Sequence, residues 1–278
     1  MIPYVECTVT LDPFYPYNEI LTVKLSEVGF ESFTEGENVL HAYIPEVQFN
    51  AAILEDLKHY LTANKVKFSL DYKLIPPQNW NETWEKDYAP VILKHFTIVA
   101  PFHGEEYRKK RFIEIEPKMS FGTGHHETTA LMCEVMEDLD FKGKKVLDMG
   151  SGTGILAINA SQLGAAQVLA YDIEEWAVEN AQENFLRNAT HVCEVYLGDV
   201  KDVTEQGFEV ILANINKNVL FNHLPFYSKL AANQSHVLLS GFFTSDNSSL
   251  IDEAKAHGFN LIQSYENKSW SCLHFRKN

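Results

Sequence analysis

One acidic residue and three alternating glycines stand at Asp148, Gly150, Gly152 and Gly154, between a strand-like run and a helix-like run. Glycine lets a backbone turn sharply and approach a ligand closely, so the pattern predicts a loop that wraps a nucleoside-bearing cofactor. A dinucleotide site needs G-x-G-x-x-G, but Ile155 takes the place of its last glycine. The charge of Asp148 would repel a pyrophosphate and suits a cationic ligand. A bare turn between strand and helix is the alternative.

S-adenosylmethionine is a cofactor of this kind, because it carries both a sulfonium and an ammonium group. The order D-x-G-x-G-x-G over 148–154 resembles motif I of the class I methyltransferases. The resemblance implies that Asp148, Gly150, Gly152 and Gly154 bind S-adenosylmethionine, and that S-adenosylhomocysteine is the product.

Two further acids follow strand-like runs downstream of the glycine loop. Asp172 ends the run Gln167–Tyr171, 22 positions after Gly150, where an acid is placed to accept hydrogen bonds from ribose hydroxyls. Asp199 follows a third strand, where such an acid commonly faces the adenine amino group in this fold. Capping of the next helix is compatible with the ribose role of Asp172, and a plain turn is the alternative for Asp199.

A candidate acceptor site follows the fourth predicted strand, Phe208–Asn214. Ligands of open α/β sheets bind at the carboxyl ends of the strands, and this strand lies next to the first in a methyltransferase sheet. An asparagine oxygen can accept a hydrogen bond from an amine and hold the amine lone pair toward a methyl group. We therefore predict that Asn214 is catalytic and also contacts the cofactor, with a helix cap as the alternative.

The segment 119–129 contains two glycines and several hydroxyls before a predicted helix. It is expected to close over the ligand, with Phe121, Gly122 and Thr123 as cofactor contacts and Thr129 bonding the methionine part. The run His125–Glu127 suggests a metal site, but adjacent loop histidines without a partner at helical spacing are poor evidence for one. We predict no metal and assign these residues to a cap and a turn.

Helix-like and strand-like runs alternate from about residue 127, which predicts an α/β fold. The final two strands have no helix between them and imply an antiparallel edge strand on a mostly parallel, Rossmann-like sheet. The predicted helices are 128–139, 154–163, 174–187, 217–231 and 246–257, and the predicted strands are 145–149, 167–172, 194–197, 208–214, 235–241, 259–265 and 269–275.

Residues 1–72 predict a separate small α+β domain with the element order β-α-β-β-α-β, as in ferredoxin-like modules. Its predicted strands are 4–10, 30–33, 39–44 and 66–70, and its predicted helices are 17–28 and 47–61. The segment holds 11 acidic and 4 basic side chains and no evident catalytic cluster. We therefore expect it to recognise a substrate.

Residues 73–90 predict a linker, because Pro76 and Pro77 break the preceding pattern. Trp80, Trp84 and Tyr88 would share one face of a short helix over 80–88, which favours core packing over an aromatic substrate wall. The methyltransferase domain is then 91–278. A basic run at Arg108–Arg111 is expected on a solvated strand or hairpin, with RNA contact as the alternative.

Composition indicates a globular protein with an acidic surface. The chain has 278 residues, 45% of them hydrophobic, and a formal net charge of −15. This charge disfavours a stable nucleic-acid partner and favours a basic protein. Four scattered cysteines suit a reducing compartment, and neither a signal peptide nor a membrane span is predicted. We expect a cytoplasmic location.

Three motifs together resemble a specific family. F-G-T-G-H-H-E-T-T at 121–129, V-L-D-M-G-S-G-T-G-I-L-A-I at 146–158 and A-N-I-N at 213–216 are similar to the methyltransferases that modify ribosomal protein eleven of the large subunit. The resemblance covers nearly the whole chain. It implies trimethylation of lysine and N-terminal amines, substrate recognition by a mobile N-terminal domain, and cofactor contacts at Thr129, Gly150, Asp172 and Asn214.

The fourth-strand motif departs from many amino-methyltransferases, which carry N-P-P-Y there. Asn214-Ile-Asn-Lys217 has neither the prolines nor the aromatic residue, which argues against adenine or glutamine acceptors. Three other functions stay open from the residues alone. They are a nicotinamide-dependent oxidoreductase, a methyltransferase acting on RNA, a small molecule or another protein, and a non-enzymatic binding protein.

Overall fold

The computed structural model describes residues 3–76, 85 and 87–278. Contacts divide the chain into two compact units, Met1–Asp87 and Tyr88–Asn278. The predicted linker 73–90 spans this division, and its role as a linker stays a prediction. Most of the helix predicted over 80–88, including both of its tryptophans, lies outside the described residues.

The first unit is a four-stranded antiparallel sheet with two helices. Its elements are β1 (Tyr4–Asp12), α1 (Tyr17–Ser26), β2 (Ser32–Gly36), β3 (Val39–Pro45), α2 (Ala52–Ala63) and β4 (Lys67–Ile75). The sheet order β2-β3-β1-β4 and the β-α-β-β-α-β sequence make the unit ferredoxin-like. Alternate β1 residues, Val5, Cys7, Val9 and Leu11, are buried in its core, as period-two patterning requires.

The helix predicted over 47–61 begins later, at Ala52, for a local reason. Glu46–Gln48 form a 3₁₀ turn, and Phe49 is extended. The side chain of Asn50 then accepts a hydrogen bond from the main-chain N–H of Ala52 at 3.0 Å. Asparagine at a helix start competes with the backbone in this way, which fixes where the helix begins.

The second unit is built on a seven-stranded sheet with helices on both faces. A small three-stranded sheet precedes it, with β5 (Val91–Ile92), β6 (Thr97–Val99) and β7 (Phe112–Glu114). The main elements are α3 (Glu127–Met136), β8 (Lys145–Met149), α4 (Ile155–Gln162), β9 (Gln167–Asp172), α5 (Glu175–Arg187), β10 (Cys193–Leu197), β11 (Phe208–Asn214), α6 (Lys217–Leu230), β12 (Ala231–Phe243), α7 (Asn247–Ala256), β13 (Phe259–Asn267) and β14 (Trp270–Lys277). Two apolar clusters, one on each face, pack the helices onto the sheet.

The strand order β10-β9-β8-β11-β12-β14-β13 confirms the predicted fold class. Strands β8 to β12 run parallel, and β14 runs antiparallel to both β12 and β13. The reversed strand is therefore one position in from the edge, and β13 forms the edge itself. Because β14 runs backward, its first residue, Trp270, lies at the carboxyl end of the parallel strands. No helix in the described ranges is long and apolar enough to cross a membrane.

The expectation of a strand or hairpin at Arg108–Arg111 is wrong, whereas Lys109 and Lys110 are exposed to solvent as expected. Arg108 ends a 3₁₀ helix, and its guanidinium pairs with Glu114 at 2.8 Å and also binds main-chain carbonyls. Arg111 pairs with Glu137 and lies over the ring of Phe96, 4.4 Å from its centroid. Both arginines serve packing within the unit, because nearby acids and an aromatic ring neutralise or cover them.

A buried histidine pair predicts loss of stability in mild acid. His236 Nδ1 lies 2.8 Å from His274 Nε2. Burial, with the neighbouring His236 and Arg276, lowers the pKa of His274 from 6.5 to about 4. The unfolded state therefore binds more protons, so this stability is present above pH 6.5 and is lost as the pH falls to 4.

We expect this site to lower the free energy of unfolding by about 3 kcal/mol between pH 7 and 4. The measurement is urea unfolding of the wild type and of His274→Gln across this range. The variant should show a shallower decline, because its amide does not titrate. Parallel declines in the two proteins would refute the assignment.

Candidate functional site

The glycine loop joins β8 to α4, and all three of its glycines have positive φ. The values are 73° at Gly150, 53° at Gly152 and 77° at Gly154. Added Cβ atoms would meet protein at each position: Ile215 Cγ2 at 2.2 Å, Phe121 O at 2.2 Å and Phe185 Cε1 at 2.6 Å, respectively. The glycines therefore allow other parts of the protein to approach the loop closely. Sequence reasoning had explained them only by the close approach of a ligand.

Asp148 lies beneath the loop, with no exposed surface. Its Oδ2 accepts a hydrogen bond from the main-chain N–H of Ala157 at 3.2 Å. Burial raises the pKa of Asp148 to about 7, and the charge of Asp172 adds to the effect. Sequence reasoning placed this carboxylate against a cationic ligand. In the structure Oδ2 is bonded to α4, and Oδ1 is buried without a partner among the described residues.

Asp172 ends β9 beside the loop, and both of its carboxylate oxygens are engaged by the backbone. Oδ2 accepts from the N–H of Gly152 at 2.8 Å, and Oδ1 accepts from the N–H of Glu174 at 3.1 Å. The cap-like bond that the sequence suggested is therefore present. Each carboxylate oxygen has a second lone pair, so these bonds leave room for hydroxyl donors.

Asp199 follows β10 and caps a short 3₁₀ helix, Val200–Asp202. Its Oδ1 accepts from the N–H of Val200 at 2.7 Å and lies 2.9 Å from His223 Nε2. Asp199 therefore stabilises the turn after β10, which was the alternative to a ligand contact. His223 on α6 is an additional partner of Asp199 that sequence reasoning missed.

Asn214 lies at the carboxyl end of β11, next to the loop. The pairing of Leu212 with Asp148, and of Ala213 with Met149, brings it beside Gly150. This is where the strand order reverses around β8, the usual place for a ligand in an open α/β sheet.

The side chain of Asn214 has one free polar atom. Its Nδ2 donates to Oγ1 of the buried Thr129 at 3.3 Å. Its Oδ1 is buried and has no hydrogen-bond partner among the described residues. Thr129 therefore fixes the amide and leaves an acceptor oxygen in place.

The predicted closing segment is tied to the glycine loop. Phe121 O accepts from the N–H of Thr153 at 2.9 Å, and the Thr153 hydroxyl donates to Gly122 O at 2.7 Å. Thr123 contacts the ring of His125 at 3.3 Å. His126 caps α3, since its side chain accepts from the N–H of Thr128, in agreement with a cap role.

A cavity of about 260 Å³ opens beside Asn214. Its walls are Phe121, His126, Thr128, Asn214, Ile215, Asn216, Gly241 and Trp270. Three of its rings form a chain, with Phe121 and His126 5.1 Å apart and His126 and Trp270 4.7 Å apart between centroids. The aromatic chain beside an amide oxygen suits a ligand that is both polar and cationic. Trp270 was missed, because only the reversed direction of β14 brings it here.

Buried polar atoms without partners concentrate around the glycine loop. Among the described residues they include Ser120 Oγ, Asp148 Oδ1, Ser151 Oγ and Asn214 Oδ1. Buried polar groups in native proteins nearly always have partners, so such a cluster indicates that a polar ligand completes the site. Within the described ranges, no three His, Cys, Asp or Glu side chains are placed to hold a metal.

A larger cavity, of about 560 Å³, lies between α5 and the edge strand β10. Its lining includes Phe185, Leu186 and Tyr196, and none of the predicted site residues. We place the site at the smaller cavity, because the unpartnered oxygen of Asn214 and the aromatic chain line it, and its wall residue Ile215 adjoins Gly150 of the glycine loop.

The chain is similar to one protein family along nearly its whole length. The family pattern described as "Ribosomal protein L11 methyltransferase (PrmA)" matches residues 18–278. A ribosomal protein L11 methyltransferase from Porphyromonas gingivalis is 38% identical over 96% of this chain and 92% of its own. One from Phocaeicola vulgatus is 36% identical over 98% of each chain. A crystal structure of a ribosomal protein L11 methylase from Lactobacillus delbrueckii subsp. bulgaricus superposes with a TM-score of 0.63 and 27% identity, covering 69% of this chain and 100% of that one.

Proposed function

Because the chain belongs to the ribosomal protein L11 methyltransferase family, we propose that its substrate is ribosomal protein L11 and its acceptors are lysine and N-terminal amines. The chain is an S-adenosylmethionine-dependent protein methyltransferase. The observation that carries the acceptor assignment is the buried, unpartnered Oδ1 of Asn214 between the glycine loop and an aromatic cavity. Neither a nicotinamide-dependent oxidoreductase nor a non-enzymatic binding protein fits this family.

The cofactor cradle consists of the glycine loop and the acids beside it. Gly150 and Gly152 shape the loop, Asp172 receives the ribose hydroxyls, and Asp199 receives the adenine amino group. Gly154 allows α5 to pack against the loop, and Phe121, Gly122 and Thr123 cover the ligand. The unpartnered atoms of Ser120, Asp148 and Ser151 support this assignment, since a polar cofactor would satisfy such groups. When bound, the cofactor supplies a methyl group on a positively charged sulfur.

Asp148 both supports the loop and contacts the cofactor in this proposal. Its side chain is fully buried, and Oδ2 is bonded to the start of α4. Oδ1 has no partner among the described residues, so it is left to a polar group of the cofactor.

Asn214 orients the acceptor amine. In the first and second transfers its Oδ1 accepts one N–H of the incoming amine, which turns the nitrogen lone pair away from Asn214. A neutral dimethylated amine has no N–H, so the walls of the cavity alone position it for the third transfer. Thr129 keeps the amide from rotating, because it holds Nδ2. The rings of Phe121 and Trp270 then face the amine as it gains methyl groups and positive charge.

The amine must reach Asn214 without its extra proton. A lysine with a pKa near 10.4 is only about 0.1% neutral at pH 7.4, a handicap of roughly 4 kcal/mol. Desolvation in the aromatic cavity lowers that pKa, because burial disfavours the charged form. Water can remove the proton before transfer, so no strong base is required.

A basic protein substrate agrees with the charge of the chain. The formal net charge is −15, and residues 1–72 carry 11 acidic and 4 basic side chains. We therefore assign substrate recognition to residues 1–72, with 73–90 as the linker and no stable nucleic-acid partner. The protein then acts in the cytoplasm, which suits its four free cysteines, Cys7, Cys133, Cys193 and Cys272.

Incubation with ribosomal protein L11 and methyl-labelled S-adenosylmethionine tests the proposal. We expect label on L11, with intact masses that rise in steps of one methyl group up to three per amine. Acetylation of every L11 amine should abolish labelling, because the acceptor nitrogen is then an amide. Label on ribosomal RNA or on another protein in a complete ribosomal extract, with L11 unlabelled, would overturn the substrate assignment.

A further inference from the structure

We propose that His223 and Tyr227 position Asp199 so that the enzyme selects a purine with a 6-amino group in its cofactor. The inference rests on the proposed cofactor site and adds two residues to it. Both lie on α6, outside the sequence motifs that identify the site. Neither residue would touch the cofactor, so each is a positioning residue.

The geometry is a continuous chain of hydrogen bonds from the core to the site. The hydroxyl of Tyr227 lies 3.0 Å from His223 Nδ1, and His223 Nε2 lies 2.9 Å from Asp199 Oδ1. Tyr227 has no exposed surface, and the side chains of His223 and Asp199 are 8% and 36% exposed. This series of hydrogen bonds therefore starts in the core, at Tyr227, and ends at Asp199, the most accessible of the three side chains.

Burial fixes where the protons lie. It raises the pKa of Tyr227 well above its ordinary value and lowers the pKa of His223, so both groups are neutral near pH 7. A neutral imidazole has one donor and one acceptor. Tyr227 therefore donates to Nδ1, and Nε2–H donates to Asp199, which is the arrangement that satisfies all three groups.

The consequence for Asp199 is a fixed carboxylate plane. Oδ1 receives two donors, Val200 N–H at 2.7 Å and His223 Nε2–H. The main-chain N–H of Asp202 also donates to the Asp199 carboxylate, and the remaining lone pairs are then presented as acceptors of set direction. An exocyclic amino group donates to such an oxygen, whereas a 6-oxo group in its place would bring two acceptors together and be repelled.

If His223 and Tyr227 served only to pack the core, their side chains would not need to be polar. A histidine is costly to bury, and packing alone would be satisfied by leucine at position 223. The polar chain is needed if Asp199 must keep one orientation while its other oxygen binds and releases a ligand.

Calorimetric binding of two ligands tests the inference without any acceptor protein. The ligands are S-adenosylhomocysteine and its 6-oxo analogue, S-inosylhomocysteine. His223→Leu is expected to weaken binding of the adenosyl ligand about tenfold, the effect of one charge-assisted hydrogen bond. The analogue should lose about threefold or less, so the preference for adenine falls. Tyr227→Phe should give a smaller change in the same direction.

Two further variants separate positioning from general damage. His223→Gln can keep a donor near the Nε2 position and should restore most of the adenine preference. His274→Leu removes a histidine of similar burial on β14 and should leave both affinities unchanged.

An unchanged adenine preference in His223→Leu would overturn the inference, as would equal losses for both ligands. These results are independent of the substrate. If ribosomal protein L11 proves not to be methylated, the substrate proposal fails and the preference measured here still stands or falls by itself.

Discussion

Gly152→Ala is expected to weaken binding of S-adenosylhomocysteine by about 100-fold or more. The new Cβ would lie 2.2 Å from the carbonyl oxygen of Phe121, which is backbone and cannot move aside alone. That carbonyl also accepts from the N–H of Thr153 at 2.9 Å, and the N–H of Gly152 binds Asp172 at 2.8 Å. The substitution therefore displaces the covering segment and the ribose acid together. Loss of two hydrogen bonds to a charged group, at roughly 1.5 kcal/mol each, weakens binding about 100-fold.

Gly143→Ala is the matched control. Gly143 has a φ of 74°, so alanine there meets the same backbone strain, but no atom lies within 4 Å of its added Cβ. Gly143→Ala should lose about 1 kcal/mol of stability from the positive φ, and Gly152→Ala should lose more than that because of its clash. Only Gly152→Ala should lose cofactor affinity in calorimetry. Equal affinities for the two variants would mean that the clash is relieved without moving the site.

Local patterns in the sequence predicted most of the second unit. Strand β11 has the bounds expected for it, Phe208–Asn214, because an apolar run there ends in a polar residue. Helix α5 begins within one residue of its predicted start. These elements alternate with clear breaks, and their patterns agree with their burial in the sheet.

Local patterns in the sequence did not predict which elements lie next to each other in the folded protein. The last two strands were predicted, but β14 inserts between β12 and β13, and only the complete sheet decides this. Arg108 and Arg111 were expected to be solvated, because their partners Glu114 and Glu137 belong to other elements. Such pairings depend on the folded chain and leave no local signal.

The candidate site likewise contains some residues that the sequence predicted and others that it did not. Asp172, Asp199 and Asn214 end or follow β9, β10 and β11. The carboxyl ends of parallel strands meet at one edge of a sheet, so the sequence was enough to predict that these residues lie along the same edge. Trp270 and His223 carry no motif, and they reach the site through the reversed β14 and through the packing of α6. The glycine pattern was recognised, but its reason was incomplete, because Ile215, Phe121 and Phe185 occupy the space that side chains would fill.

Asn214→Ala is expected to reduce kcat/KM for methylation of ribosomal protein L11 by about 100-fold. The substitution removes the buried Oδ1 that would align the amine, and misalignment by about 1 Å costs about that much. Affinity for S-adenosylhomocysteine should change by no more than about threefold, because the glycine loop and Asp172 remain. The loss should fall mainly on kcat at saturating L11, since alignment counts most in the transition state.

The matched control for Asn214 is Asn188→Ala. Asn188 bonds the backbone of Glu114 at 2.9 Å and 2.7 Å and ties α5 to β7, away from the cavity. Its loss should lower the free energy of unfolding by about 1–2 kcal/mol and leave turnover within about twofold of wild type. Asn214→Ala should show the reverse, since its Oδ1 has no partner within the described part of the protein. If Asn214→Ala, assayed with labelled cofactor, methylates L11 at the wild-type rate, another group in the cavity must align the amine.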